Sequence, residues 1–281
     1  MRTIVHLSDL HFGRVDRALL TPLASIIESL APDLIAVSGD LTQRARGAEF
    51  RAARAFLDRL PKPQIVVPGN HDVPLHNVVS RFMRPLAKYR RYVTENLEPF
   101  YADGEIAVLG INTARSLTFK RGRVNTAQIE HAKRHLCSLD PQTVKIIVTH
   151  HPFDLSRARN SSELVGRADL AMEMLSVCRC DLLLAGHLHV SDAGSVAMHS
   201  VAAGSHDAIL VQAGTATSTR GRGEINSFNS IHVDANCIEV RRHGWEPGDG
   251  EFKPVSSERF ERKAAGWRSV DPPDGFATVA P

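Results

Sequence analysis

The sequence has few cysteines, no long apolar run and almost no excess charge, and each shortage narrows what the protein can be. Four cysteines in 281 residues, without a CxxC pair, exclude a disulfide-rich scaffold. We expect buried free thiols at Cys137, Cys178, Cys180 and Cys237. No apolar run approaches the ~20 residues of a membrane span, and the first residues lack the apolar segment of a secretory signal. These absences predict a reducing, cytoplasmic setting. A formal net charge of +3 says little about partners.

Short apolar runs recur along the chain and predict strands. Six of them, over residues 3–7, 33–37, 64–67, 106–111, 145–148 and 181–184, are near-continuous in Ile, Val, Leu and Ala. Continuous rather than alternating runs are typical of strands that are buried on both faces. Helical spacing of apolar residues occurs over residues 18–30, 48–60 and 126–139, with Thr126 as the expected N-cap of the third helix. Alternating strands and helices predict an α/β core with neighbouring parallel strands.

The character of the chain changes after residue 190. Short strands are predicted over residues 208–213, 227–233 and 237–240, with a hairpin turn at 234–236, which indicates an antiparallel arrangement. Beyond Gly244 the strand signals fade. We therefore expect one domain over residues 1–243 and a loosely ordered C-terminal extension over residues 244–281.

Polar side chains that can bind metal follow five of the six predicted strands. The five blocks are Asp9-Leu10-His11, Gly39-Asp40, Gly69-Asn70-His71-Asp72, His150-His151-Pro152 and Gly186-His187-Leu188-His189. The carboxyl ends of parallel strands meet at one edge of a sheet, so these blocks should converge. They offer oxygen and nitrogen ligands for Mn, Fe, Zn or similar ions, and no thiolate. Each block alone is a weak signal, since a Gly-Asp pair is most often a turn. Five such blocks, each directly after a predicted strand, favour a single metal site.

Taken together, the five blocks resemble the full motif of calcineurin-like metallophosphoesterases. The resemblance covers residues 3–190, and the strand-rich segment to about residue 243 is similar to the second sheet of that family. It implies an α/β fold, specifically a four-layer α/β/β/α sandwich, with a dinuclear metal site at the carboxyl-terminal edge of the strands. The implied activity is metal-dependent hydrolysis of a phosphoester by a hydroxide that bridges two metal ions.

The resemblance also implies a ligand set for two divalent ions, whose identity it leaves open. One ion is assigned to Asp9, His11, Asp40 and His189, and the other to Asp40, Asn70, His150 and His187, so that Asp40 bridges. Ions in such pairs lie ~3.5–4 Å apart.

Three further residues of these blocks are not ligands in this scheme. His71 is the expected proton donor to the leaving oxygen or stabiliser of the transition state. Asp72 is expected to orient the His71 imidazole. For His151 two roles stay open, contact with the substrate or simple packing.

The substrate is less well defined by the sequence. Basic segments lie over residues 76–92 and 115–123, where Arg84, Arg91 and Arg121 are candidates for a substrate-binding rim, and residues 215–222 form a hydroxyl-rich segment. No Arg or Lys adjoins a ligand to neutralise the extra charge of a monoester. We therefore expect a small-molecule phosphodiester and a similarity to the bacterial branch of cyclic-nucleotide and glycerol phosphodiesterases.

Several alternatives stay open. One is a UDP-diacylglucosamine-type pyrophosphatase of lipid A synthesis, although the known pattern of those enzymes has Arg in place of His71. A DNA-repair nuclease is less favoured, because basic residues are not widely spread and no coiled-coil segment is present. Two non-catalytic alternatives are a scaffold on the same fold and a nucleic-acid-binding protein that uses the arginine clusters. A homo-oligomer is compatible with the sequence.

Overall fold

Strands and helices alternate through the first two thirds of the chain. The computed structural model describes residues 1–75, 78–116, 121–154, 164–200, 204–219 and 223–270. The strands within these ranges are β1 Arg2–Leu7, β2 Leu34–Val37, β3 Gln64–Val66, β4 Phe100–Ala102, β5 Ile106–Gly110, β6 Val144–Val148, β7 Leu182–Ala185, β8 Asp192–Ser200, β9 Gly204–Gln212, β10 Ser227–Val233, β11 Cys237–Glu246, β12 Glu251–Lys263 and β13 Gly266–Val270. The α-helices are α1 Leu20–Ser29, α2 Gly47–Leu57, α3 Val78–Met83, α4 Ala87–Tyr92, α5 Thr126–Leu136 and α6 Ala168–Val177, and short 3-10 turns cover Arg17–Leu19 and Asn70–Asp72.

All six predicted strands of the N-terminal part are confirmed, and the three predicted helices correspond to α1, α2 and α5. The N-cap of α5 is Asn125, not Thr126 as expected: the Asn125 side chain accepts a hydrogen bond from Gln128 N, and Gln128 Oε1 accepts one from Asn125 N. This reciprocal capping box satisfies two otherwise unpaired donors. Within the basic segment, residues 78–92 form two helices, α3 and α4, because Pro85 disfavours helical backbone at the residue before it.

The strands form one hydrogen-bonded series with the order β3-β2-β1-β10-β11-β12-β13-β9-β7-β6-β5-β4, and β8 pairs with β9. Strands β1 to β3 are parallel to one another, as are β5, β6, β7 and β9. The series from β1 through β10, β11 and β12 to β13 is antiparallel. Only the pair Gly266 and Asp207 joins β13 to β9 among the described residues. Two parallel groups are therefore connected through an antiparallel C-terminal group.

Three apolar cores follow from the alternation of side chains along these strands. On β1, Ile4 enters a core that is shared with Ile146 and Ile209, whereas Val5 faces the core beneath α1 and α2. Neighbouring Ile147 packs in a third core with α5 and α6. Both faces of the parallel strands are thus covered, which explains their continuous apolar sequence. The mixed α/β fold with a large central sheet is confirmed, and the four-layer description stays a prediction.

The C-terminal part differs from the expected loose extension. Residues 244–270 complete β11 and form β12 and β13, and the side chains of Phe260 and Trp267 are fully buried. The prediction failed here because β12 is half exposed and rich in charged residues, so its alternating pattern looks like a polar tail. The antiparallel pairing to β11 supplies the order that local composition does not. Residues 271–281 lie outside the described residues.

The cysteines also differ in part from expectation. Cys137 and Cys178 form a disulfide between the C-terminal ends of α5 and α6, with their Cα atoms 4.3 Å apart. Cys180 is a buried free thiol, as expected, and Cys237 is free and half-buried. The pairing was missed because the two residues are 41 positions apart and meet only when the helices pack side by side. No helix within the described ranges is long and apolar enough to cross a bilayer.

Candidate metal centre

The five polar blocks meet at the carboxyl-terminal edge of the two parallel strand groups. The backbone brings the first two together, because Asp9 N donates to Gly39 O at 3.1 Å and His11 N donates to Asp40 O at 2.9 Å. Gly39 has a φ of 90°, and a Cβ at this position would lie 2.8 Å from His150 Nδ1. Only glycine permits this close approach of the strand ends.

The backbone is strained at the predicted ligands themselves. Five of the nine non-glycine residues with positive φ in the described parts are predicted ligands: Asp9, His11, Asp40, His187 and His189, with φ between 48° and 73°. Such conformations cost of order 1–3 kcal/mol each and persist where the surrounding structure enforces them. Strain gathered at one edge marks this edge as the functional site.

The first donor set consists of Asp9, His11, Asp40 and His189. His11 Nε2 lies 3.4 Å from Asp9 Oδ1, 3.7 Å from Asp40 Oδ2 and 3.4 Å from His189 Nε2. His189 Nε2 is 3.3 Å from Asp9 Oδ1. Donor atoms that bind one ion at ~2.0–2.2 Å lie about this far apart.

The second donor set consists of Asp40, Asn70, His150 and His187. His150 Nε2 lies 3.5 Å from Asp40 Oδ2 and 3.1 Å from Asn70 Oδ1. His187 Nδ1 lies 3.1 Å from the same Asn70 oxygen and 3.3 Å from His150 Nε2. Asp40 Oδ2 therefore approaches a histidine of each set, which is the position of a bridging ligand.

The chemistry of these residues fits divalent ions. Asp9 Oδ1 is completely buried and accepts no well-formed hydrogen bond in the parts of the chain that the structure describes, as expected for an oxygen that faces a cation. Burial, reinforced by His150, lowers the pKa of His187 to about 3, so its imidazole is neutral at pH 7, as a ligand must be. Although burial opposes ionisation, the adjacent His11 imidazole and the other neighbouring histidines hold the pKa of Asp9 well below its usual range.

Surrounding groups orient the ligands. His150 Nδ1 donates to Ser38 O at 2.8 Å, which directs Nε2 toward Asp40. Asp9 Oδ2 accepts from Ser8 Oγ at 2.6 Å and from His187 N at 3.1 Å, which turns Oδ1 toward His11 and His189. Contacts of this kind fix the tautomer and direction of metal ligands. Ser8 and Ser38 were not predicted, and their position directly before a ligand block was the only signal.

His71 is held by a group that the sequence did not indicate. The ring Nδ1 of His71 donates to Gln43 O at 2.8 Å, and the backbone N–H of His71 donates to Asp40 Oδ1 at 2.8 Å. The His71 ring stands edge-on to His11, with the ring centroids 4.9 Å apart. Because Nδ1 keeps its proton for the Gln43 carbonyl, Nε2 is the nitrogen that can exchange protons.

Asp72 joins two loops of the site, and its expected role in orienting His71 stays a prediction. Its carboxylate accepts hydrogen bonds from Leu41 N, Thr42 N, Thr42 Oγ1 and Gly69 N, at 2.9–3.1 Å. These bonds hold the loop after β2 to the loop after β3, which carry Asp40 and Asn70. Burial and the charge of Asp40 raise the pKa of Asp72 to about 6, against the lowering effect of the hydrogen bonds from Gly69 and Thr42.

The remaining predicted residues differ in how near they lie to the two donor sets. His151 is fully buried, its Nδ1 lies 2.8 Å from Thr113 Oγ1, and its atoms fall within one candidate metal group with His150 and His187. The Gly122 backbone packs against the His151 ring, which places Arg121 next to the site. Arg84 is exposed, and within the described ranges no hydrogen bond or ion pair joins its side chain to the donor sets.

Two other candidates make contacts within the protein, and their expected part in substrate binding stays a prediction. The Arg91 guanidinium lies over the ring of Tyr92, on α4, which packs against α2. In the hydroxyl-rich segment, Thr215 Oγ1 donates to Asp9 O and Thr217 Oγ1 to Leu10 O, both at 2.8 Å. These buried hydroxyls support the first ligand block instead of lining a surface for substrate. Residues 220–222, 76–77 and 117–120 of the predicted rim lie outside the described residues.

Two donor sets that share one carboxylate, at the edge of parallel strands, define a centre of the two-metal hydrolase type. The chain belongs to the calcineurin-like phosphoesterase family, whose model matches residues 2–191. This confirms, at the level of the family, the prediction of a metallophosphoesterase.

Relatives and solved structures agree with this assignment. The chain is 23% identical over 167 residues to a glycerophosphodiester phosphodiesterase, GpdQ, of Enterobacter lignolyticus, covering 56% of this chain and 59% of that protein. It is 26% identical to one component of the nuclease SbcCD of Staphylococcus epidermidis, covering 66% and 56%, and 26% identical to a probable cyclic nucleotide phosphodiesterase of a Synechococcus species, covering 66% and 73%. A purple acid phosphatase from yellow lupin seeds shares the fold, with a TM-score of 0.69 at 15% identity over 94% of this chain and 54% of that chain. The matches thus span little more than half of the first two relatives.

Proposed function

We propose that this chain is a two-metal phosphodiesterase. The observation that carries the proposal is Asp40 Oδ2, which lies 3.7 Å from His11 Nε2 and 3.5 Å from His150 Nε2 and so joins the two donor sets. The predicted ligand assignment, Asp9, His11, Asp40 and His189 for one ion and Asp40, Asn70, His150 and His187 for the other, fits these contacts. Manganese, iron and zinc all suit such oxygen and nitrogen donors.

When bound, two divalent ions would supply a water nucleophile at neutral pH and neutralise the oxygens of the phosphate. The chain's own residues do the rest. His71, fixed through Nδ1 by Gln43 O, would deliver a proton from Nε2 to the departing alcohol. Asp72 keeps the two ligand loops together, so that His71 and Asn70 stay in position.

The preference for a diester rests on the charges around the site. Arg81 is the basic residue of α3 that turns inward, and its guanidinium donates to Pro74 O and Ser116 O. These hydrogen bonds give Arg81 a structural role and not a role in substrate binding. Arg121 directly precedes Gly122, whose backbone packs on the His151 ring, and this supports Arg121 as a rim residue. A monoester dianion would need more cationic donors near the phosphorus than these blocks provide.

A panel of substrates tests the proposal. Protein loaded with Mn²⁺ is offered a phosphomonoester, an open diester, 2′,3′- and 3′,5′-cyclic nucleotides and a UDP-sugar, with Asp40→Ala as the inactive control. Faster turnover of one or more diesters supports a phosphodiesterase. Faster turnover of the monoester than of every diester contradicts the substrate preference, and cleavage of the UDP-sugar alone favours a pyrophosphatase of the UDP-diacylglucosamine type.

The rim is tested separately. Neutralising Arg121 should raise KM for a large natural diester more than for a small synthetic one, because remote contacts position the larger substrate. Neutralising Arg134, which is exposed on α5, serves as the matched control for loss of one charge. Equal effects of both changes on both substrates would show that Arg121 is only solvated surface.

The cytoplasmic setting stays a prediction. The disulfide between Cys137 and Cys178 argues for an oxidising environment, in which such bonds persist. Counting free thiols in protein isolated under thiol-blocking conditions distinguishes the two: four supports a reducing setting, and two supports an oxidising one. Oligomerisation is equally a matter for measurement.

A further inference from the structure

Two arginines that the sequence motifs did not single out, Arg14 and Arg44, belong to adjacent loops, and the loop of Arg44 also holds His71. The loop after β1 runs along the loop after β2, since Phe12 N donates to Leu41 O at 2.8 Å and Gln43 N donates to Phe12 O at 2.9 Å. Gly13 packs so closely on this loop that a Cβ would lie 3.2 Å from Gln43 Cβ. Arg14 and Arg44, the residues that follow Gly13 and Gln43, therefore lie on neighbouring loop segments.

These two side chains are exposed, and no hydrogen bond or ion pair reaches either guanidinium group from the described residues. The carboxylate of Glu49, which is buried, accepts from Arg44 N and Arg46 N. It thus serves the backbone of the loop. Arg242, by contrast, pairs with Glu224. The pair at residues 14 and 44 is a local positive charge without a structural use.

The position of this pair relative to the chemistry is defined by Gln43. Its carbonyl oxygen accepts the hydrogen bond from His71 Nδ1. The loop after β2, which carries Arg44, therefore also holds the proposed proton donor. In an in-line displacement the leaving alcohol departs on the side opposite the nucleophile and receives the proton there. An alcohol that takes its proton from His71 departs on the side of the loop that holds His71, which is the loop of residues 43 and 44.

We propose that Arg14 and Arg44 bind a phosphate group carried by the leaving alcohol. This inference rests on the proposed phosphodiesterase function and names its substrate class: diesters whose departing alcohol bears a phosphate of its own. In the reaction, water adds to the scissile phosphorus and releases a proton to solvent, the bond from phosphorus to the leaving oxygen breaks, and that oxygen takes a proton from His71, which solvent then restores. The products are a phosphomonoester and an alcohol that keeps its phosphate.

Arginine suits this task for a physical reason. Its planar guanidinium offers several N–H donors in a fixed fork, which can bind two oxygens of one phosphate. Two such groups side by side repel each other, and a dianionic phosphate between them removes that repulsion. The same chemistry occurs in an oligonucleotide and in a small polyol with two phosphates, so the test contains an arm for each.

The experiment compares matched substrates with Mn²⁺-loaded protein. One arm uses a thymidine dinucleotide without a terminal phosphate, with a 5′-phosphate or with a 3′-phosphate. The other uses a glycerol-based diester with and without a terminal phosphate. We expect kcat/KM to be on the order of tenfold higher when the leaving alcohol carries the phosphate, mainly through KM, as for one charge-assisted contact at an exposed site. This advantage should decline as salt screens the contact.

Variants connect the effect to the two residues. The double variant Arg14→Ser with Arg44→Ser should lose most of the ratio between phosphorylated and unphosphorylated substrates. The control, Lys133→Ser with Arg134→Ser on α5, removes the same charge from exposed positions and should keep the ratio. Metal content equal to that of the parent protein shows that the first double variant is correctly folded. If it is not, the single variants Arg14→Lys and Arg44→Lys, which lose the fork but keep the charge, should each lower the ratio.

The outcomes distinguish a failure of the phosphate subsite from a failure of the proposed phosphodiesterase function. A preference in either arm that is lost in the Arg14 and Arg44 variant supports the subsite, and the arm that shows it identifies the source of the phosphate. Hydrolysis without a preference, or a preference that both double variants reduce equally, overturns the subsite alone. No hydrolysis of any diester, including bis(p-nitrophenyl) phosphate, overturns the proposed function and the subsite with it.

Discussion

Replacing Asp72 distinguishes a residue that holds two loops together from one that orients the proton donor. The carboxylate accepts from three backbone N–H groups, Leu41 N, Thr42 N and Gly69 N, and from Thr42 Oγ1, and only 1% of the residue is exposed. In Asp72→Ala the Thr42 hydroxyl retains His71 O as an acceptor at 3.2 Å. The three backbone donors have no such alternative, and each unsatisfied donor costs ~1 kcal/mol or more.

We therefore expect Asp72→Ala to lower the free energy of unfolding by about 3–5 kcal/mol, near the upper end for single substitutions. Asp72→Asn keeps one accepting oxygen and should cost roughly half as much. Both should weaken metal binding, because the joined loops carry Asp40 and Asn70. The measurement is urea unfolding at pH 8, where the Asp72 carboxyl is ionised, with and without Mn²⁺, together with metal content.

The control is Asp58→Asn, which removes a carboxylate that is 59% exposed and paired with Arg54 on the surface of α2. It should leave stability nearly unchanged, as exposed ion pairs usually contribute little. The reasoning fails if Asp72→Ala unfolds at the same urea concentration as the parent and binds metal equally well but loses kcat. That result would support the original expectation that Asp72 acts through His71.

Three other predictions follow from the same contacts. Asp40→Ala should lose both ions and all hydrolysis, since Asp40 joins the two donor sets, and elemental analysis that finds one full equivalent of metal would contradict this. His71→Gln should keep the metal but lose ~10²–10⁴ in rate with poor leaving groups and much less with nitrophenyl esters, whereas an equal loss with both would show that His71 is not the acid. Burial lowers the pKa of His243 to about 4, so the folded protein binds its proton less readily than the unfolded chain and stability should fall as the pH drops from about 6.5 to about 4. His243→Gln, which keeps an acceptor for Ser230, should flatten this decline in urea titrations, and an unchanged slope would refute the assignment.

The N-terminal half of the fold could be predicted well because its signals are local. Strands such as β2 and β6 are continuous apolar runs, and their burial on both faces requires that composition. The segment over residues 244–270 could not be predicted in the same way. Its longest strand, β12, owes its order to pairing with β11, and an exposed, charged strand face resembles a disordered tail until its partner is known.

The residues that carry the chemistry were present in the sequence as five blocks after five strands. Their types and order were sufficient to predict Asp9, His11, Asp40, Asn70, His150, His187 and His189 as one cluster, because parallel strands end at a common edge. What only the tertiary structure decided is how the supporting groups are used: Gln43 O accepts from His71 Nδ1, Asp72 joins two loops, and the loop of Arg14 packs on the loop of Arg44. These contacts join segments that are 28–31 positions apart, and they depend on backbone carbonyls and amides, which every residue possesses and no side-chain pattern reveals.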